Sequence, residues 1–181
     1  MDTSAAIISK FVRKLGIETC LEFNPELLVP EQRIRGYCSE NRCGNYDNNY
    51  MCPPHSGSLV EIEERLKGFQ KGVLLQYSKP MDVRNDRKGV EQTKIDFHNK
   101  ILHLEGLLRS EGIEHIWGMM GGSCALCEVC KAETGEPCQY PDRARTSLES
   151  MAIDVLSLLR KFGLDNGFYP DKITWTGCIL F

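Results

Sequence analysis

Apolar residues follow helical spacing and strand spacing in alternation along the chain. Four stretches repeat apolar residues every three or four positions, which predicts amphipathic helices at residues 4–15, 58–69, 97–108 and 148–162. Short segments that are mostly apolar or alternating predict β-strands at residues 17–23, 73–77, 115–120 and 172–181. The pattern therefore predicts helices that alternate with about four strands.

Turn and capping residues mark the ends of these elements. Gly16 and Gly163 follow the first and last helical stretches, where glycine commonly ends a helix. Residues 58–61 and 146–149 each have Ser or Thr followed three positions later by Glu, which predicts capping boxes that begin two helices. We therefore expect an α/β fold over residues 1–181, a single-domain sandwich of about four strands with flanking helices.

Two irregular segments carry seven of the nine cysteines. The first cysteine loop, residues 38–55, holds Cys38, Cys43 and Cys52 in a run of Asn, Gly and Pro residues that predicts irregular backbone. The second cysteine loop, residues 121–138, holds four thiols: Cys124, Cys127, Cys130 and Cys138. We expect the two loops to gather at one edge of the sandwich.

The CxxCxxC spacing from Cys124 to Cys130 indicates a metal site. Three equally spaced thiolates on one short loop suit three different irons of a [4Fe–4S] cluster. Zinc usually takes CxxC pairs from two separate knuckles around one ion, so zinc is the second interpretation. Cys138 is the expected fourth ligand, although its spacing leaves open which of two clusters it serves. Gly121 and Gly122 would let the backbone approach such a cluster closely.

The spacing of Cys38, Cys43 and Cys52 is less diagnostic, but the composition of the first loop favours the same chemistry. Cluster sulfurs accept hydrogen bonds from backbone N–H groups, which Asn- and Gly-rich loops expose. With three cysteines in this loop, water, His55 or a substrate would occupy the remaining position. Three arginines are candidates to offset the negative charge of a thiolate-bound cluster: Arg33, Arg35 and Arg42.

The other thiols and imidazoles have simpler explanations. Cys20 and Cys178 lie within strand patterns, where a buried cysteine packs as a small hydrophobe. His98 and His103 lie on a helix that has a full apolar stripe, so we expect exposed or capping roles for them. The sequence assigns no catalytic residue.

Composition narrows the function classes. Nine cysteines are an excess for 181 residues, and an odd number cannot all pair in disulfides. The first residues open an amphipathic helix without the regions of a signal peptide, so we expect the cytoplasm, where thiols stay reduced. No apolar run approaches the ~18 residues that span a bilayer. A net charge of −3, with scattered Arg and Lys, gives no footprint for nucleic acid. We expect neither a membrane nor a nucleic acid as partner.

Short motifs outside the thiol spacing complete a recognisable pattern. They are residues 43–46, 52–54, 145–149, 153–155 and 175–177. Together with the seven loop cysteines they resemble the cysteine-rich family known as predicted metal-binding proteins, a domain of unknown function common in anaerobic bacteria and archaea. The chain departs from the family at Thr146, where Pro is usual, and at Ala152, where Gly is usual. The resemblance implies an iron–sulfur protein and supplies no established activity.

Three functions remain open at this point. The first is electron transfer by two [4Fe–4S] clusters, with a redox partner protein or an associated enzyme. The second is an enzyme in which a three-cysteine cluster leaves one iron open, either as a Lewis acid for a small-molecule substrate or as a sulfur carrier. The third is a structural zinc protein that acts through contacts with partners. Seven cysteines divided as four plus three keep the enzyme interpretation open.

Overall fold

In residues 3–181, which the computed structural model describes, five α-helices are interspersed with four β-strands. The helices are α1 (Thr3–Lys14), α2 (Gln32–Ser39), α3 (Leu59–Leu66), α4 (Arg87–Ser110) and α5 (Val155–Lys161). The strands are β1 (Thr19–Phe23), β2 (Gly72–Pro80), β3 (Trp117–Met119) and β4 (Lys172–Leu180). The predicted α/β class is confirmed, whereas the extension of one domain over residues 1–181 stays a prediction. None of the described helices has the length and apolar character needed to cross a membrane.

The four strands form one antiparallel sheet in the order β1–β2–β4–β3. The nine residues of β2 pair with β4, from Gly72 opposite Leu180 to Pro80 opposite Lys172. β1 pairs with the other side of β2, and the short β3 pairs with β4 through Trp117 and the two residues after it. β3 is thus an edge strand, and the chain leaves it directly into the second cysteine loop.

Helices α1 and α4 cover one face of the sheet. Val73, Leu75 and Tyr77 of β2 point to this face, because side chains alternate between the two faces of a strand. They pack against a fully buried stripe of α4 that consists of Phe97, Ile101, Leu104 and Leu108. The apolar stripe predicted at residues 97–108 is therefore the core-facing side of α4.

Helices α3 and α5 cover the opposite face. Leu74 of β2 and Leu180 of β4 face this side and pack with Ile62 and Leu66 of α3. Helix α5 adds three buried residues: Val155, Leu158 and Leu159. The molecule is thus a helix–sheet–helix sandwich, as the alternation of helices and strands predicts.

Side-chain caps set the starts of α3 and α4. Ser58 Oγ accepts a hydrogen bond from Glu61 N at 3.3 Å, and Glu61 Oε2 accepts one from Ser58 N at 2.7 Å, which confirms the capping box before α3. Before α4, Asp86 Oδ1 accepts from Gly89 N at 2.8 Å. Helix α4 therefore begins well ahead of its apolar stripe, because the cap and not the stripe determines its first residue.

The capping box predicted at residues 146–149 is wrong. Ser147 and Ser150 bond to each other's backbone instead, since each hydroxyl accepts from the other residue's N–H at 3.1 or 2.9 Å. These local bonds hold a turn, and Ala152 follows with φ of 64°, a left-handed conformation that favours glycine. Asp154 caps α5 instead, so this helix begins later and is shorter than predicted.

Helix α2 is an element that the sequence pattern does not predict. It has no buried residue, so it lacks the apolar stripe that would reveal it. Contacts from outside hold it, since Glu31 N donates to Ala152 O at 2.8 Å and Arg33 bonds to Asp154 at 2.6 Å. Cys38 therefore lies on the last turn of a helix rather than in irregular backbone.

Candidate metal centre

The two cysteine loops lie against each other. Asn49 of the first loop is almost fully buried and donates from Nδ2 to the carbonyl oxygen of Cys124 at 2.9 Å. Tyr50 donates its hydroxyl to the carbonyl oxygen of Glu136 at 2.7 Å. These hydrogen bonds join segments that are far apart in the sequence, and they bring the cysteines of both loops into one region of the molecule.

The second loop and its neighbours enclose a cavity of about 270 Å³. Four thiols line it: Cys124, Cys127, Cys130 and Cys138. Asparagine side chains of the first loop, together with Glu91 and Lys94 of α4, complete much of the wall. The structure therefore places the four predicted ligands of the second loop around one space.

Cys124 accepts hydrogen bonds from two backbone groups. Burial raises the pKa of this thiol, while the N–H groups of Leu126 and Arg145 donate to the sulfur and act in the opposite direction. Cys130 and Cys127 raise the pKa further, because a second negative charge nearby is unfavourable. Two N–H donors on one sulfur are the kind of hydrogen bonding that supports a metal-bound thiolate.

Cys127 lies close to Cys130 and Cys138. Burial and these two neighbouring thiols raise the pKa of Cys127, whereas the charge of Lys131 lowers it. The Cys127 sulfur also lies 3.5 Å from Gln139 Oε1. Thiols that raise one another's pKa lie within electrostatic reach of each other, so a cation bound between them would stabilise their thiolates together.

The three thiols of the first loop have different environments. Cys43 is exposed, Cys38 is half-buried and Cys52 is buried. Burial raises the pKa of Cys52 to about 12, and the nearby Cys43 and Cys38 add to this shift. Burial also raises the pKa of Cys38, against the opposing charge of Arg35. Without a metal, the thiolate forms of Cys38 and Cys52 are therefore disfavoured.

Cys52 connects the two groups of thiols. Its raised pKa, to which burial contributes most, also reflects Cys124 and Cys130 of the second loop. The thiols of the two loops therefore lie within electrostatic reach of each other. Metal centres held by the two loops would be neighbours.

The three arginines that are candidates to offset charge at the first loop differ in their partners. Arg35 acts on Cys38, whose pKa its charge lowers against the effect of burial. Arg33 and Arg42 are paired with carboxylates at 2.6 to 2.8 Å. Of these three arginines, Arg35 is thus the one placed to offset negative charge at a thiolate.

The described residues do not form a preassembled site for a single ion. No three His, Cys, Asp or Glu side chains among them converge closely enough to hold a metal ion. The thiols of the second loop are instead distributed around the cavity wall. The assignment of the seven cysteines as ligands therefore stays a prediction.

Arg145 fixes the second loop to the sandwich. Its backbone N–H donates to Cys124, and its guanidinium donates to both carboxylate oxygens of Glu105 at 2.8 and 2.7 Å. Glu105 is 1% exposed and also accepts from Arg109 and from the backbone N–H of Gly118 in β3. This buried carboxylate connects α4, β3 and the segment that returns from the second loop.

The sequence pattern does not predict the buried polar residues of α4. His98 is 1% exposed and its Nε2 lies 2.8 Å from the carbonyl oxygen of Arg143, so the predicted exposed or capping role is wrong. His103 is exposed, as predicted. Lys94 and Glu105 are also buried. The available signal is their spacing, because residues four and seven positions apart share one side of a helix.

The remaining candidates lie apart from the cavity. Cys178 is fully buried in the core, as predicted, and burial raises its pKa. Cys20 is half-buried on β1, with its sulfur 3.9 Å from Ser9 Oγ. His55 Nε2 lies 3.1 Å from Asp47 Oδ1, so this nitrogen already has a partner within the first loop.

Comparison with known proteins identifies the family. Residues 22–181 match the family model described as predicted metal-binding protein (DUF2284). No curated protein and no solved structure matches the chain. The matched range contains both cysteine loops and every element after β1. The chain therefore belongs to the family of predicted metal-binding proteins (DUF2284).

Proposed function

We propose that this protein binds two [4Fe–4S] clusters, one at each cysteine loop, and transfers electrons. The observation that carries the proposal is the cavity of the second loop, whose wall holds four thiols. Membership of a predicted metal-binding family supports metal binding in general. The proposed ligands are Cys124, Cys127, Cys130 and Cys138 for one cluster, and Cys38, Cys43 and Cys52 for the other.

The distribution of the thiols favours a cluster over zinc. Tetrahedral zinc brings its sulfurs to about 3.8 Å from one another, because each Zn–S bond is about 2.3 Å long. A cubane keeps its cysteine ligands further apart, since each thiolate binds a different iron. Thiols that surround a cavity, rather than meeting at a point, suit the second arrangement.

Residues of this chain also provide surroundings that a cluster requires. The N–H groups of Leu126 and Arg145 donate to the Cys124 sulfur, and such hydrogen bonds help to set the potential of a cluster. Arg35 places a positive charge near Cys38. When bound, the clusters would supply one-electron transfer, and the protein would hold them in place and shield them.

The contact between the loops supports electron transfer as the function. Cys52 lies within electrostatic reach of Cys124 and Cys130, so two bound clusters would be neighbours. Electrons could then pass from one to the other and on to a redox partner protein. A cytoplasmic location is part of this proposal, because nine free cysteines suit a reducing compartment.

One observation favours an enzyme as the second candidate. The first loop has three cysteines of its own, and the two spare thiols lie elsewhere, with Cys178 in the core and Cys20 on β1 beside Ser9. A cluster with three cysteine ligands has one iron that is open to a small-molecule substrate. That iron would act as a Lewis acid.

Metal analysis after anaerobic purification tests the proposal. Two cubanes require about eight irons and about eight acid-labile sulfides per chain. Stoichiometric zinc, with little iron even after anaerobic reconstitution, would contradict the proposal and support a structural zinc protein.

Single Cys→Ala variants assign the clusters to the loops. Cys127→Ala and Cys43→Ala are each expected to lose about half of the iron, because each removes one ligand from one loop. Cys178→Ala is the matched control, since it removes a thiol from the core and should retain the parent iron content. Parent iron content in both loop variants would show that the loops do not hold the clusters.

A further inference from the structure

A buried ammonium group lies at the cavity of the second loop. Lys94 of α4 is 8% exposed, and it lines the same cavity as the four thiols. Its Nζ donates to Ser123 Oγ at 3.3 Å and lies 2.9 Å from Glu91 Oε1. A lysine is rarely this buried without a function or a strong partner.

The surroundings fix the direction of the Lys94 side chain. Gly122 has φ of 73°, and a Cβ added there would lie 3.1 Å from Lys94 Cδ and 3.1 Å from the ring of Trp175. Trp175 is held in turn, because its Nε1 donates to Thr93 Oγ1 at 3.0 Å. The glycine thus leaves room for the lysine stem beside the start of the second loop.

In the part of the chain that the structure describes, the charge of Lys94 is not balanced by a buried acidic side chain in this cavity. Glu91 is its ion-pair partner, but that carboxylate is 51% exposed and is therefore screened by water. Glu128 and Glu133 also line the cavity, and Lys94 is the one cation among the described lining residues. Burying an ammonium is costly unless an anionic group faces it. Thiolates that bind a metal in this cavity would be such a group.

We propose that Lys94 supplies a fixed positive charge that offsets the negative charge of the metal–thiolate centre in the second loop, and so raises its reduction potential. This inference rests on the proposed function. Reduction adds one negative charge to the centre, and a nearby cation stabilises that charge. The ammonium acts through its field, so Lys94 is a tuning residue and not a ligand.

The first test is the reduction potential of the iron-loaded protein. Lys94→Met removes the charge and keeps most of the length of the side chain. A redox titration followed by electron paramagnetic resonance measures the second-loop cluster, whose signal is the one that Cys127→Ala lacks. We expect the equilibrium constant for reduction to fall at least about tenfold, which is about 59 mV for one electron.

Two further variants separate charge from structure. Lys88→Met removes an exposed lysine from the same helix and should keep the parent potential. Lys94→Arg retains the positive charge and should also stay near the parent value. The inference is overturned if Lys94→Met has the potential of Lys88→Met.

The second test uses the metal-free protein. Iodoacetate is anionic and iodoacetamide is neutral, and the same thiolate attacks both reagents. The fraction of ionised thiol therefore cancels in the ratio of the two alkylation rates. Mass spectrometry at Cys124 and Cys127 gives this ratio for each variant. We expect Lys94→Met to lower the ratio at least about threefold relative to Lys88→Met, because the field that attracts anions into the cavity is lost.

The two tests distinguish this inference from the proposed function. If the protein holds zinc instead of iron, electron transfer fails as its function, and the effect on potential fails with it. The alkylation ratio still decides whether Lys94 sets the charge of the cavity. Equal ratios in Lys94→Met and Lys88→Met would overturn the inference, whichever metal is bound.

Discussion

Replacing Glu105 with Gln tests whether a buried ion pair fixes the second cysteine loop to the sandwich. The carboxylate is 1% exposed and accepts from Arg145 Nε and Nη2 at 2.8 and 2.7 Å, from Arg109 at 3.2 Å and from Gly118 N at 3.1 Å. A Gln amide can still accept from Gly118, but its NH₂ group cannot accept from a guanidinium. The same Gln oxygen can also keep the bond from Arg145 Nε, but Glu105→Gln removes the acceptor of Arg145 Nη2 and the negative charge that balances the buried guanidinium.

The size of the effect follows from the burial of the pair. Removing one partner of a buried ion pair costs about 3–5 kcal/mol. For a chain of this length that corresponds to a fall in melting temperature of about 6–20 °C, at about 2–4 °C per kcal/mol. Arg109→Ala is the matched control, because Arg109 is 44% exposed and bonds to Glu105 at 3.2 Å. We expect Arg109→Ala to cost less than about 1 kcal/mol.

Urea unfolding of the metal-free proteins measures this difference. The midpoint should fall in Glu105→Gln without a change in the slope, since the amount of surface exposed on unfolding stays the same. A second measurement is the loss of iron to a chelator. Because the Arg145 N–H donates to Cys124, loosening Arg145 should speed the loss of iron from the second loop.

Two outcomes would refute this reasoning. If Glu105→Gln unfolds within about 1 kcal/mol of the parent, the buried pair does not stabilise the fold in the way its geometry implies. If Arg109→Ala costs as much as Glu105→Gln, the loss of stability comes from the exposed bond to Arg109 and not from the pair with Arg145. A lower urea midpoint with unchanged iron release would show that the pair stabilises the fold without fixing the second loop.

Two further predictions concern acid stability and backbone packing. Burial raises the pKa of Asp154, but the hydrogen bonds from Arg33 and Ser157 together outweigh this and hold the pKa at about 2. Because this lies below the ordinary value of 3.8, Asp154→Asn should cost about 1 kcal/mol of stability near pH 7. The difference in stability between the parent and the variant should vanish as pH falls from about 4 to 2. A difference that is independent of pH in urea unfolding would contradict this. Gly177→Ala would place a Cβ against the carbonyl oxygen that ends β3, so we expect it to lower the stability by about 1–3 kcal/mol. Gly106 faces open space on α4, so Gly106→Ala should raise the stability by up to about 1 kcal/mol. Equal effects of the two substitutions in thermal unfolding would refute the packing argument.

Local signals predict helix starts only where nothing competes with them. The box from Ser58 to Glu61 forms as expected, and the helix stripe that follows it packs on the sheet. The same pattern at residues 146–149 fails, because Ser147 and Ser150 satisfy each other's backbone groups and hold a turn. Ser and Thr serve turns as well as caps, so a pattern of four residues cannot distinguish the two outcomes.

The candidate site also has a part that local sequence signals predict and a part that they do not. Spacing alone predicts the cysteines as candidate ligands, because thiols on one short loop are close in space whatever the fold. The supporting residues depend on packing between elements that are distant in sequence. Lys94, His98 and Glu105 bond respectively to Ser123, to the Arg143 carbonyl and to the Arg145 guanidinium, all within or after the second loop. The spacing of these residues shows that they share one side of α4, but it does not reveal their partners.

The segments that lead into and out of the second cysteine loop are hydrogen-bonded to each other. Met120 N donates to Thr146 O at 2.9 Å, and Met120 forms a parallel bridge with Ser147. Within residues 3–181, neither apolar cluster contains a residue from 38–55 or from 121–146. The sandwich therefore derives its apolar stabilisation from outside both cysteine loops, while α4 reaches into the second loop through polar contacts. We therefore expect that a change of charge or of bound groups in the loops leaves the apolar packing of the sandwich intact.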